Sequence, residues 1–266
     1  MMKSSFSLAA LTVLVFTPAV ALAQSPEDKG YQIAKAAEES DDGYGDYTVD
    51  GTMILRNKSG AESSRSFKSL NLEMSGDGDR GIVFFLTPKS VKGTALLTHG
   101  HKTENDDQWL YLPALKRVKR ISSSSKTGSF VGSEFSFEDL SSPELAKYTY
   151  KWVADDACPG AADQTCHVVE RYPTDKDSGY SKQVVWMDKD HYRGYKVDYF
   201  DRKGAHLKTM TVTGYQQFAG KHWRSGEMAM INHQTGKSTV MQWSNYQFKT
   251  GLSENDFKSS RLDTLR

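Results

Sequence analysis

Residues 105–140 read NDDQWLYLPALKRVKRISSSSKTGSFVGSEFSFEDL, and the fold class turns on this stretch. Asp107 to Leu112 alternates with the period of a strand, Trp109 and Tyr111 on one side, Leu110 and Leu112 on the other. Both sides are apolar, which predicts a strand covered on both faces. Pro113 ends the run, because proline cannot donate to a sheet ladder. A basic segment follows (Lys116, Arg117, Lys119, Arg120), then a serine-rich linker, then Phe130, Phe135 and Phe137 among Gly and Ser. A twice-covered aromatic strand, a basic edge and a flexible aromatic loop suit a surface that admits and covers an apolar guest. They do not suit a catalytic centre.

On either side of this stretch the signal is strand after strand. Asp46–Leu55 and Arg65–Met74 flank the hairpin turn NKSG, and the last hundred residues form a meander joined by KDHYRG, DRKG, AGK and HQTGK. Regular short strands with glycine-bearing turns predict one antiparallel sheet of roughly ten or eleven strands, large enough to curl. Before the first strand, Ser25-Pro26-Glu27-Asp28 predicts a capped helix to about Ser40, burying Ile33, Ala34 and Ala37. Earlier still, Lys3, the apolar run Leu8–Val20 and Ala21-Leu22-Ala23 read as a signal peptide over residues 1–23, with cleavage near Ala23. An exported chain over residues 24–266, expected to be a monomer, follows.

Composition narrows the function further. Without Lys3 the remaining basic residues equal the 33 acidic ones, which argues against nucleic acid. The two cysteines, Cys158 and Cys166, bound a hairpin-tip sequence in an exported chain and are expected to form a disulfide. Hydrolase, metalloprotease, phosphate-loop and dinucleotide motifs are all missing, so no enzyme and no cofactor is expected. His99 and His101 could share a strand face near Glu104 and Asp106, but a solvated strand end is the better reading, and no metal site is assigned.

Met228 and Met230 share one strand face, as do Met241 and Trp243, and methionine suits promiscuous apolar sites. The basic cluster reads either as solvated surface or as a docking patch for anionic head groups or an acidic partner. So broad a sheet with so few helices needs its concave face covered, by its own loops or by a guest.

The block DDQWLYLPALKRVKRI followed by SFVGSEFSFEDL resembles the outer-membrane lipoprotein-sorting proteins, relatives of the periplasmic carrier LolA, and the likeness extends from about residue 26 to the end. The resemblance implies a mainly β, open antiparallel half-barrel with a helix and loop lid over an apolar cavity. It implies a soluble periplasmic carrier of the acyl chains of lipoproteins or other lipids, working with an inner-membrane exporter of the resistance-nodulation-division type. The expected cavity and lid residues are Trp109, Leu110, Tyr111, Leu112, Phe130, Phe135, Phe137, Met228, Met230, Met241 and Trp243. The alternative is an accessory or envelope-stress sensor protein that uses the same fold to contact a transporter or signalling partner.

Overall fold

The computed structural model describes residues 24–265; the expected signal peptide lies outside them. One helix, α1 (Pro26–Asp41), precedes the sheet. The Ser25 hydroxyl oxygen accepts from the Asp28 amide at 3.0 Å. The Asp28 carboxylate takes the Ser25 hydroxyl rather than its amide, so the expected cap forms with one bond changed. α1 lies directly on a strand because its Gly30 carries no side chain there: a Cβ on Gly30 would sit 2.7 Å from the Trp152 amide nitrogen.

The strands in chain order are β1 (Asp46–Arg56), β2 (Glu62–Leu72), β3 (Arg80–Thr87), β4 (Ala95–His99), β5 (Asp107–Leu112), β6 (Arg117–Ile121), β7 (Tyr148–Cys158), β8 (Ala161–Pro173), β9 (Tyr180–Asp188), β10 (Gly194–Asp201), β11 (His206–Thr213), β12 (Gln216–Phe218), β13 (His222–Arg224), β14 (Glu227–Asn232) and β15 (Ser238–Phe248). Thirteen of them make one antiparallel sheet in the order β6-β5-β4-β3-β2-β1-β15-β14-β11-β10-β9-β8-β7. The count exceeds the expected ten or eleven, in part because the basic segment after Pro113 is itself a strand. A short 3₁₀ turn over Pro113–Leu115, closed by Lys116 in the left-handed region, folds β6 back onto β5.

Two meanders meet in the middle where β1 pairs with β15, and the sheet ends in two free edges, β6 and β7. The chain passes from one edge to the other through residues 122–147. At roughly 4.8 Å per strand a flat sheet of this size would span close to 60 Å. Yet Leu96 of β4 and Val197 of β10 belong to one buried cluster, together with Phe130, Phe135 and Phe137 of the connection. The sheet is therefore curled around its own crossover, open along one side. This is the half-barrel expected.

The outer face of β3–β5 is covered by the C-terminal segment. Ser253 and Asp256 form a capping box that starts a 3₁₀ turn, and Phe257 and Leu262 pack on Ile82, Phe84 and Leu97. Trp109 and Tyr111 belong to this outer cluster. Their placement in the cavity is thus corrected: β5 is covered on both sides, as its pattern predicts, but alternation turns Leu110 and Leu112 inward, and of these Leu110 packs on the inner cluster. Leu112 ends the strand half-buried.

The expected long strands 206–218 and 221–231 each break, at Gly214 and Gly226. These residues touch so closely that a Cβ on Gly226 would meet the Gly214 carbonyl oxygen at 2.9 Å. Beyond them β12 and β13 form a separate two-stranded ribbon. The disulfide Cys158–Cys166 staples the β7–β8 hairpin, with Cα atoms 4.9 Å apart.

Gly30→Ala reverses the usual helix rule. Alanine normally stabilises a helix interior by about 1 kcal/mol. Here its methyl group collides with the β7 backbone, and thermal or urea unfolding is expected to show a net loss of about 1–3 kcal/mol.

Candidate functional site

The inner face of the half-barrel holds two different environments, one filled and one open. The filled part is built around the crossover. Phe130 and Phe135 flank a tight turn, with Val131 and Gly132 at positive φ and the Phe130 amide donating to the Phe135 carbonyl at 2.8 Å. Phe130 stacks on Phe85 with ring centroids 5.6 Å apart, and Phe85 meets Phe67 at 6.1 Å. Gly51 permits this, since a Cβ there would fall 2.1 Å from the Phe67 ring. Met230 and Met241 are buried in the same cluster, with Met228 and Trp243 half-buried against it. The strands put all four on the inner face, Met228 directly across from Met241.

Polar anchors tie this lid to the sheet. Lys208 of β11, only 3% exposed, donates to the Asp139 carboxylate at 2.5 Å and to the Glu134 carbonyl at 3.1 Å. Asp139 also accepts from the Tyr180 hydroxyl at 2.7 Å and the Ser136 amide at 2.6 Å, so this buried charge is well satisfied. Thr239 accepts from the Glu134 amide, Asn232 donates to the Glu134 carboxylate, and Gln108 donates to the Phe137 carbonyl. Lys126 and Asp175 close the lid's near end as an ion pair.

The open part lies between α1, β8–β9 and residues 142–145. It is a cavity of about 460 Å³, within the range of small-molecule sites. A second cavity of about 350 Å³ shares Asp41, Tyr44, Asp79 and Ser142 with it and continues to Leu140 and Met228, at the border of the filled part. Of the methionines and tryptophans on the later strands, Met187 borders the first cavity and Trp223 and Met228 the second.

The walls are aromatic and acidic. Tyr44 donates to Asp79 at 2.7 Å, and burial together with that carboxylate raises its pKa. Arg224 of β13 donates to Asp41 at 2.7 Å and lies over the rings of Tyr44 and Tyr47. Glu144, 9% exposed, has its pKa lifted from 4.5 to about 7 by burial and then by Glu38 on α1. Asp79 and Asp106 raise it further, while Lys147 opposes them. A lone glutamate in PELAKY carries no signal that would mark it in the sequence.

The basic residues are all exposed, but strand alternation divides them. Lys119 shares the face of Ile121, which packs inward; Arg120 pairs with Asp107 and shares the face of Val118, which packs outward. His99 and His101 part company: His99 meets the Phe257 carbonyl at 2.7 Å, and His101 sits by Asp77 at 2.6 Å. Among the described residues no cluster of side chains fits a metal ion.

The described chain is thus an open antiparallel half-barrel stoppered by its own crossover, with one helix beside it. A LolA superfamily protein from Nitrosomonas europaea shares that fold, with TM-score 0.67 at 19% identity over 86% of this chain and 97% of that one. A protein domain from Vibrio parahaemolyticus described as outer membrane lipoprotein-sorting is 51% identical, with TM-score 0.86 over 89% of this chain and 99% of that one. A DUF1329 family protein from Desulfovibrio piger is 30% identical, with TM-score 0.84 over 90% and 100%. A family model described only as an uncharacterized protein matches residues 77–264. No curated protein matches the chain. The chain belongs to the family of the Vibrio lipoprotein-sorting domain and the Desulfovibrio DUF1329 protein.

Lys208→Met leaves Asp139 buried without its cation and is expected to cost about 3–5 kcal/mol in urea unfolding. The double change with Asp139→Asn should recover much of that loss. Glu144 works in the opposite sense. Its folded pKa lies above its unfolded value, so the folded state holds a proton that the unfolded chain releases. Stability is therefore lost as pH rises from about 4.5 to about 7, by roughly 3 kcal/mol for this group. Glu144→Gln should remove that component, leaving the variant more stable than the parent at pH 8 and little changed at pH 4.

Proposed function

We propose that this protein is a periplasmic carrier that shelters the acyl chains of lipoproteins or other lipids on their way to the outer membrane. It receives them from an inner-membrane exporter of the resistance-nodulation-division type. One observation carries the reading. The hollow is filled by Phe130, Phe135 and Phe137, which come from a connection rather than from the sheet. Phenylalanines on a connection can be withdrawn without breaking a sheet ladder, whereas core residues on strands cannot. Their withdrawal leaves an apolar inner face running from Leu110 to Val197, continuous with the cavity beside α1.

The energetics favour exchange over simple opening. Exposing three phenylalanines is costly, but burying about fourteen methylenes returns roughly 11 kcal/mol before binding costs. The lid therefore moves when a guest replaces it. Hand-over needs a docking surface, and the β5–β6 hairpin supplies one: Leu115 is 67% exposed beside Lys116 and Arg117. Membership in the family of a lipoprotein-sorting domain supports the same reading.

Protein purified from the periplasm is expected to carry acylated species, detected by native mass spectrometry and by lipid extraction. Met230→Asp should abolish them. Phe135→Ala should raise their occupancy while lowering stability by about 3–5 kcal/mol. A preparation free of acyl chains of every length, but held in a stoichiometric protein complex, would replace the carrier with an accessory or sensor role.

A further inference from the structure

The open cavity differs from the filled hollow in one respect that bears on the guest's head rather than its tail. Its acidic residues are nearly all occupied. Glu73 accepts from the amides of Gly43 and Gly45 at 2.6 and 2.7 Å. Asp79 accepts from Tyr44 and from the Met74 amide, Asp41 from Arg224, and Asp77 from the Lys102 amide. Among the described residues two carboxylates of the lining meet no donor, those of the exposed Asp42 and of Glu144. Glu144, by contrast with Asp42, is more than nine-tenths buried. Lys147, the nearest cation to favour its charge, is committed to Asp106. Glu38 stands across from it on α1, and one of its oxygens accepts from the Leu145 amide at 3.0 Å, so the second negative group is fixed in place.

Two cations border the cavity, Arg171 and Lys102. Arg171 donates to Gln183 at 2.6 Å and lies over Tyr148. Lys102 is exposed at the rim. The lining thus joins an unpaired carboxylate to the rings of Tyr44 and Tyr150 and to apolar Ala37, Val169, Val185 and Met187. Aromatic faces and an unpaired carboxylate together favour a cation, and the N–H donors of an ammonium would satisfy Glu144.

We propose that this cavity binds the head of a cationic amphiphile, a primary ammonium group held between Glu144 and Glu38, with its alkyl chain running along Val185 and Met187 toward the lid. The proposal rests on the carrier reading for the tail and adds a charge selection to it. An acyl chain ending in a carboxylate would meet repulsion at the same place, and an uncharged alcohol would leave the charge of Glu144 unanswered.

Calorimetric titration at pH 7.5, below micellar concentrations, with dodecylamine, dodecanol, dodecanoate and butylamine separates the two layers. Dodecylamine is expected to bind at least tenfold more tightly than dodecanol or dodecanoate, and butylamine far more weakly than dodecylamine. Glu144→Gln, which mimics the protonated side chain and retains the fold, should remove the preference for the amine while leaving dodecanol binding unchanged. Glu38→Gln should reduce it in part. Equal affinity for amine and alcohol, a preference for dodecanoate, or a preference that survives Glu144→Gln would overturn the charge selection and leave the carrier intact. Butylamine binding as tightly as dodecylamine would overturn the amphiphile in favour of a small free amine. Failure of every dodecyl compound to bind would remove the carrier reading and this proposal with it.

Discussion

The whole molecule depends on a single topological constraint: the chain must travel from β6 to β7, the opposite edges of one sheet, and it does so across the inner face. Because the sheet curls, the short way between its edges leads through the hollow. Residues 122–147 are therefore connection and filling at once. Backbone buried in this way has to satisfy its polar groups without a ladder. That need explains why the lid's attachment is polar, through Lys208, Gln108 and Thr239, even though its contacts are chiefly aromatic.

The polar attachment and the aromatic filling do different work. Phe130, Phe135 and Phe137 supply stabilisation by burial, which any apolar guest of similar volume could replace. The Lys208–Asp139 pair adds little net energy relative to an apolar isostere, but it defines one register for the lid. A lid anchored this way has one closed position. Tyr180 and Tyr199 flank the pair and exclude water from it.

Much of this was legible in the sequence. The period of Asp107–Leu112, apolar on both sides, correctly implied two layers over β5, and the Phe-bearing loop correctly implied a cover. What alternation alone does not say is which side is inner. Trp109 and Tyr111, the larger residues, proved to face the C-terminal segment, because Phe257 and Leu262 arrive there from a distant part of the chain. The extra edge strand stayed hidden because Arg117–Ile121 carries charges suited to a free edge rather than to a core. The breaks at Gly214 and Gly226 depend on two glycines meeting across strands, a contact no local pattern encodes. The cavity beside α1 was the least legible, since Glu38, Tyr44 and Glu144 come from three unconnected segments and converge only when the sheet has curled.

The C-terminal segment also makes the half-barrel mechanically unequal. Around β3–β5 the sheet is sandwiched between two apolar layers and is stiff. Around β9–β11 the outer side bears Lys182, Lys196 and Asp198, paired among themselves and with their neighbours, with water beyond. A vessel with one backed wall and one unbacked wall dilates on the unbacked side. Any widening of the hollow would thus be taken up next to α1, while the wall carrying Phe85 holds its shape.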